Sequence, residues 1–443
     1  MHPAASLVRG SVVSLPRYPE YKDSGADWIG SVPAQWAIHR LGHHFDERRE
    51  KVSDEDFAPL SVTRNGVVPQ LEHVAKTDDG ANRKKVCQGD FVINGRSDRK
   101  GSAGASDYDG SCSLINIVLV PGPLVDVRFV HHILRSVPFQ EEFYRYGKGI
   151  VADLWSTNFS EMKNILLAVP TVDEQRIIAA FLDRETAKID ALIAEQEKLL
   201  TLLAEKRQAT ISHAVTKGLN PNAPMKESGI PWLGEVPAHW VVSPLRYVSR
   251  IGNGSTPNRD NPDYWTMDGF PWLNSSVVNQ DEVTEAERFV TDLALTECHL
   301  PVIEPPAILV GITGQGKTRG MAAPLKFKAT INQHLAFIKP RQGRLIATYL
   351  LRTLEMSYEH LRTESDGAGS TKGAITCDLL SQFSIPLPPL DEQVAIAEHL
   401  DVAAAKFDKL ADDARRAIEL LQERRSALIS AAVTGKIDVR NAV

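Results

Sequence analysis

The sequence predicts an α+β protein. Two mixed α/β domains are separated by two long helices that pair as an antiparallel coiled coil, the whole related by a pseudo-two-fold internal repeat. Three observations predict it. First, the chain states the same segments twice: "YKDSGADWIGSVPAQW" from Tyr21 returns as "MKESGIPWLGEVPAHW" from Met225, "VPTVDEQRIIAAFLD" from Val169 returns as "LPPLDEQVAIAEHLD" from Leu387, and "EKRQATISHAVT" from Glu205 returns as "ERRSALISAAVT" from Glu423. Second, each DEQ opens a stretch free of Pro and Gly as far as Gly218 or Gly435, with apolar residues on a 3–4 spacing. Third, the unlike middles hold short β-like runs, "GDFVINGR", "SLINIVLV", "AILVGI" and "HLAFIKP", bounded by turn residues. Each middle then carries a helical stretch near the same relative place, "RFVHHILRSVPFQEEFYRY" and "RLIATYLLRTLEMSYEHLRT".

The elements follow in order. Residues 1–20 have no sustained apolar run followed by a cleavage site and read as a loose leader. The first α/β domain occupies 21–168 and the first repeated helix 169–217. A linker and the second α/β domain occupy 218–386, the second helix 387–436, and a tail 437–443. Pro170 and Pro388 precede the helices, with Asp173 and Asp391 as predicted N-caps. Leu182, Ile189, Leu192, Leu199 and Leu203 form one predicted seam, and Leu400, Phe407, Leu410, Ala417 and Leu421 the matching one. About 40 residues at 1.5 Å rise make a rod of roughly 60 Å. A rod with one apolar stripe needs a partner, and the repeat supplies one. Trp28, Trp36, Trp232 and Trp240 are expected to pack each box against its domain.

Composition excludes several classes. The four cysteines, Cys87, Cys112, Cys298 and Cys377, form no C-x-x-C pair, so thiols are expected rather than a disulfide frame or zinc site. No apolar run reaches the ~18 residues of a membrane span, and the expected compartment is the cytoplasm. The net charge of −6 hides segregation: Gly311–Arg344 carries seven Lys or Arg and no acid, and Asn82–Lys100 six basic residues against two acidic. Such stretches make local positive faces on an acidic protein. Gly311–Thr318 spells G-x-x-x-x-G-K-[ST], the pattern of a phosphate-binding loop. That loop needs a helix starting at its Lys-Thr end, yet Gly320 and Pro324 follow at once. A basic turn between strands is expected instead. "NPDY" at Asn261 and "DRK" at Asp98 are isolated short matches to a methyltransferase loop and a nuclease motif. His43–His44 and His131–His132 lack ligand spacing. No catalytic constellation and no metal site are found.

The box "SGxxWxGxVPxxW", a variable middle, "PxxDEQ" opening a long helix and "R…IS.AVT" near its end, all in duplicate, resemble the specificity subunit of type I restriction–modification systems. The resemblance covers nearly the whole chain. It implies a non-catalytic DNA-recognition subunit in which each middle is a target-recognition domain reading one half of a bipartite sequence. The paired helices would set the spacer, and the repeats would dock two DNA methyltransferase subunits. Motor–nuclease restriction subunits are the further implied partners. S-adenosylmethionine, ATP and Mg would be held by those partners, with no cofactor on this chain.

In such domains basic residues hold phosphates while Asn, Gln and Arg read base edges of double-stranded DNA. The candidates in the first domain are Arg64, Asn65, Arg83, Lys84, Lys85, Asn94, Arg96, Arg99 and Lys100. In the second they are Asn253, Ser255, Thr256, Asn274, Ser275, Lys317, Thr318, Arg319, Asn332, Gln333 and Lys372. Two rival readings are a nucleotide-driven enzyme using Lys317 and a coiled-coil adaptor that binds only proteins.

Overall fold

The computed structural model describes residues 15–70, 80–149, 155–314, 316–367 and 373–442. Contacts divide the chain into a first unit of 1–197 with 415–443, and a second of 198–414. In the first, strands β1 (Phe45–Glu47), β2 (Phe91–Asn94), β3 (Ala103–Ala105) and β4 (Asn116–Pro121) form an antiparallel sheet in the order β3-β2-β4-β1. Side chains alternate across a strand. Phe91 and Ile93 therefore enter a core with Phe129, Ile133, Phe139 and Phe143 of α1 (Val127–Arg135) and α2 (Val137–Arg145). Val92 and Val118 enter a second core with Leu60, Val67, Val86 and Cys112. Burial on both faces is why "FVIN" reads as a continuous apolar run rather than an alternation. The first long helix, α3, runs Val172–Lys217.

The second unit repeats this plan. Strands β5 (Ser249–Asn253), β6 (Ala307–Gly311), β7 (Ala322–Leu325) and β8 (Leu335–Pro340) pair antiparallel in the order β7-β6-β8-β5, the same topology position for position. Ile308, Val310, Ala336 and Ile338 face Tyr349, Leu350 and Leu354 of α4 (Ala347–Met356). Leu309, Leu335 and Phe337 face the other way, with Val278, Val283 and Ile331. Helix α5 (Tyr358–Gly367) follows, and the second long helix, α6, runs Leu390–Val433. Two middles with little sequence likeness thus share one sheet topology.

The repeated motifs are joints. In the first unit Trp36, fully buried, donates its indole N–H to Glu174 of the DEQ at 3.0 Å. In the second Trp240 donates to Glu392 at 2.9 Å. Gln175 accepts from the Asp126 N–H and donates to the carbonyls of Leu124 and Pro170. Gln393 does the same with the Ile346 N–H and the carbonyls of Arg344 and Pro388. Each glutamine locks a helix start to its domain through three bonds, every one contributing about 1 kcal/mol net. The box tryptophans Trp28 and Trp232 lie against Phe139 and Phe383 at ring distances of 5.8 and 5.3 Å. The expected N-caps need correction. Helix α3 begins at Val172, with Thr171 Oγ1 accepting from the Glu174 N–H, and α6 begins at Leu390. Asp173 and Asp391 sit inside the first turns, where they face the positive end of the dipole.

The seam also needs correction. Leu182, Ile189, Leu203 and Leu400 are buried, and Phe407, Ala417 and Leu421 half-buried, but Leu192, Leu199 and Leu410 are exposed. A 3.5-residue repeat starting from Leu182 runs through Thr186, Ile189, Ile193, Gln196, Leu200 and Leu203, all buried or half-buried. On α6 the stripe passes through Ala411 and Ala414 instead of Leu410. Polar or small residues at seam positions hid the true register. Within the first unit α3 and α6 share a core at Ile178–Leu182 and Leu428–Val433, and Arg425 pairs with Asp190 at 2.8 Å. Within the second, Ile211–Val215 share a core with Ile396 and Leu400, and Arg207 pairs with Asp408 at 2.5 Å. Inside each unit residue numbers rise along one helix as they fall along the other.

Candidate nucleic-acid interface

In the first unit the chain turns at one end of the sheet after β1, between β2 and β3, and before β4. These turns border a groove of about 680 Å³ lined by Arg49, Lys51, Lys84, Arg96, Leu114 and Ile115, with Glu47 beside them. Arg96 and Arg99 keep 41% and 69% of their side chains exposed, and both lie near Asp98. Lys100 is paired with Glu141. Arg64 and Asn65 are exposed on a hairpin turn, its shape fixed by the Thr63 hydroxyl, which accepts from the Asn65 N–H. Lys84 is held by Glu47 and the Asn116 carbonyl, and Lys85 by Glu50 and the Phe57 ring.

Two candidates here are structural. Arg83 is buried and donates to Ser111, and Asn94 is buried with its Oδ1 accepting from the Arg96 N–H. The basic run "RKK" lies on a strand whose alternation turns Arg83 inward, and a composition count cannot register that. Arg49 and Lys51 were missed because "DERREK" mixes signs like an ordinary solvated run.

In the second unit the equivalent end is a chain of polar groups across three turns. Asn253 is exposed where β5 ends. Thr256 Oγ1 donates to Gln333 Oε1, Gln333 Nε2 lies 3.3 Å from His334 Nε2, and Thr313 Oγ1 lies 2.8 Å from His334 Nδ1. Ser255 donates to the Cys298 carbonyl. Asn274 accepts from the Ser276 N–H and caps the short turn Ser275–Asn279, so Asn274 and Ser275 shape that turn. Lys317 is exposed, and Thr318 Oγ1 donates to Asn279 Oδ1 at 3.2 Å.

Arg319 and Asn332 overturn the expectation of direct contact. Arg319 is buried and donates to Asp366 at 2.7 Å, while Asn332 is buried and accepts from the His334 N–H. Lys372 lies outside the described residues. Among the described residues of this segment, no helix starts at the Lys317–Thr318 end. Gly311 ends β6, residues 316–320 turn, and the chain enters β7 at Ala322 with no helix at Lys317.

Histidines gather at the base of the first unit. His39 Nδ1 lies 3.1 Å from His44 Nε2, and the His43 ring is 4.6 Å from that of His39. Burial, then the neighbouring His39 and His43, pushes His44 down to about 4. Among the described residues no group of three His, Cys, Asp or Glu is arranged to hold a metal ion. Among them, too, no helix is long and apolar enough to cross a membrane.

The chain is thus a duplicated α/β unit, each copy with a polar or basic rim of turns and a joint to a long helix. The comparisons place it further. Residues 237–419 match the sequence model of the type I restriction modification DNA specificity domain. The putative type I restriction enzyme MjaX specificity subunit of Methanocaldococcus jannaschii is 24% identical over 93% of this chain and 96% of its own. The EcoR124I/EcoR124II specificity subunit of Escherichia coli is 22% identical over 67% and 68%. In fold, a chain from a structure of the type I R-M system solved to explain its assembly and conformational transition superposes with a TM-score of 0.71 at 18% identity, covering 91% of this chain and 98% of that one. The HsdS subunit of Thermoanaerobacter tengcongensis gives 0.55 at 19%, covering 93% and 98%. Residues 237–419 thus match the DNA specificity domain, and nearly the whole chain is similar to a type I restriction enzyme specificity subunit.

Proposed function

We propose that this chain is the sequence-specific DNA-recognition subunit of a type I restriction–modification complex, each α/β domain reading one half of a bipartite target. The observation that carries the reading is duplication with divergence. Identical joints hold two sheets of one topology whose rims differ: Arg49, Lys51 and Arg96 in the first, Asn253, Thr256 and Gln333 in the second. Two unlike readers on a common frame suit two unlike half-sites. The long helices set the unread spacer, and the repeated segments dock two methyltransferase subunits, with motor–nuclease subunits completing the complex. S-adenosylmethionine, ATP and Mg belong to those partners, and this chain works non-catalytically in the cytoplasm. The nucleotide-driven reading loses its support with the missing helix at Lys317.

Single-molecule sequencing of modified bases, with the gene intact and deleted, tests the proposal. A split motif with an unread gap should lose methylation on deletion. Survival of every methylated motif in a cell expressing the partner methyltransferase would overturn it in favour of the protein adaptor.

A further inference from the structure

The exposed turn of the second unit is held from behind by a single helical face. Tyr358, Arg362 and Asp366 of α5 recur every four residues and so project from one side. Tyr358 Oη donates to the Lys317 carbonyl at 2.8 Å. Arg362 Nη1 donates to the carbonyls of Gly316 and Arg319 at 2.7 and 2.8 Å. Asp366 accepts from Arg319, whose side chain is 5% exposed. Gly320 has φ +90°, and a Cβ there would stand 3.2 Å from the Tyr358 ring, so the turn also needs glycine to lie this close to the helix.

Three carbonyls and a guanidinium are thereby turned toward α5. What remains outward is the Lys317 ammonium, which makes no ion pair among the described residues, and Thr318, bonded to Asn279. Lys317, Asn279, Gln280 and Asp281 line one cleft of about 850 Å³. Of its other charges, Glu282 is paired with Lys326, Arg352 with Glu355 and Asp401, and Arg207 with Asp408, while Asp281 makes no ion pair among the described residues. Asn and Gln amides are the side chains that bond an adenine edge through donor and acceptor together, while a lone ammonium suits a phosphate.

We infer that Asn279 and Gln280 are specificity determinants for the second half-site, that Lys317 is its phosphate contact, and that Tyr358, Arg362 and Asp366 are positioning residues that hold this group toward DNA. The inference rests on the DNA-recognition reading above.

The test uses the full chain assembled with its methyltransferase subunits, binding duplexes that carry the methylated motif. K317A should weaken binding about 3- to 10-fold on every sequence and lower the slope of log K against log salt by about one. N279A should relax preference at bases of the second half-site and leave the first unchanged. Positioning predicts coupling: R362M should weaken binding in the wild type but add little to K317A. If R362M does not fold, Y358F, which removes only the hydroxyl on the Lys317 carbonyl, enters the same cycle. Independent, multiplying effects of the α5 and Lys317 changes would overturn positioning, and an unmoved salt slope in K317A would overturn the contact. Failure of the unmodified complex to bind any duplex selectively would instead sink the underlying reading.

Discussion

His44 is 3% exposed, and its depressed pKa makes it a source of acid sensitivity. The unfolded chain takes up a proton near pH 6.5, the folded one only near 4. Between those values the unfolded state binds more protons, so stability falls as pH drops through that window. His131, pushed down to about 3 by burial, then Arg135 and His132, acts in the same direction. Asp183 acts later: its bond to His132 holds it near 2, so its contribution is lost only below about pH 4. H44Q should flatten the dependence of the urea midpoint on pH between 6.5 and 4, and a curve parallel to wild type would contradict this assignment. The two box tryptophans give a second residue-scale prediction. Glu174 is buried, whereas Glu392 also bonds His239 and is partly exposed. W36F should therefore cost about 2–3 kcal/mol in unfolding and W240F about 1 kcal/mol, because only the first leaves a buried carboxylate without its indole donor. Equal losses would show that the indole bonds are not the source.

At the scale of the element, the long helices separate register from composition. Leu199 and Leu203 lie one turn apart on α3, yet Leu199 is 39% exposed and Leu203 9%. L203D should cost about 3 kcal/mol or more by burying an unpaired charge, and L199D less than about 0.5 kcal/mol. Unfolding followed by circular dichroism decides between them. The reverse ranking would restore the stripe that simple leucine spacing implies. The sheets were easier to anticipate. The runs at Phe91, Asn116, Ala307 and Leu335 are all strands, because a strand covered on both faces reads as a nearly continuous apolar run.

At the scale of the molecule, connectivity decides which segments support which unit. The first unit is closed by residues 435–439. Tyr21 donates to the Gly435 carbonyl, Lys436 to the Ser31 carbonyl, the Asp438 N–H to the Pro16 carbonyl, and Val439 is fully buried. The second unit has its own equivalent in Lys217, bonded to the Glu235 carbonyl, and Gly218, against Trp240. Deleting 434–443 should thus raise hydrogen exchange around Trp36 and leave the surroundings of Trp240 protected. Uniform loss of protection in both units would mean that they do not unfold separately.

The sequence by itself determined the duplication, the alternation of strands and helices, and the residue types that joint them. Those are properties of spacing and local preference, written along the chain. The DEQ and box motifs were legible as joints because both copies kept them. Only the tertiary structure decided which polar residues are available. Arg83, Asn94, Arg319 and Asn332 looked like their exposed neighbours, and burial with a specific partner turned them into internal supports. Arg49, Lys51 and Asn279 gained importance from turns distant in sequence that meet at the end of a sheet. Exposure is set by what folds over a residue, and that partner lies 47 positions away for Arg319 and 28 for Arg83, beyond the reach of any local pattern.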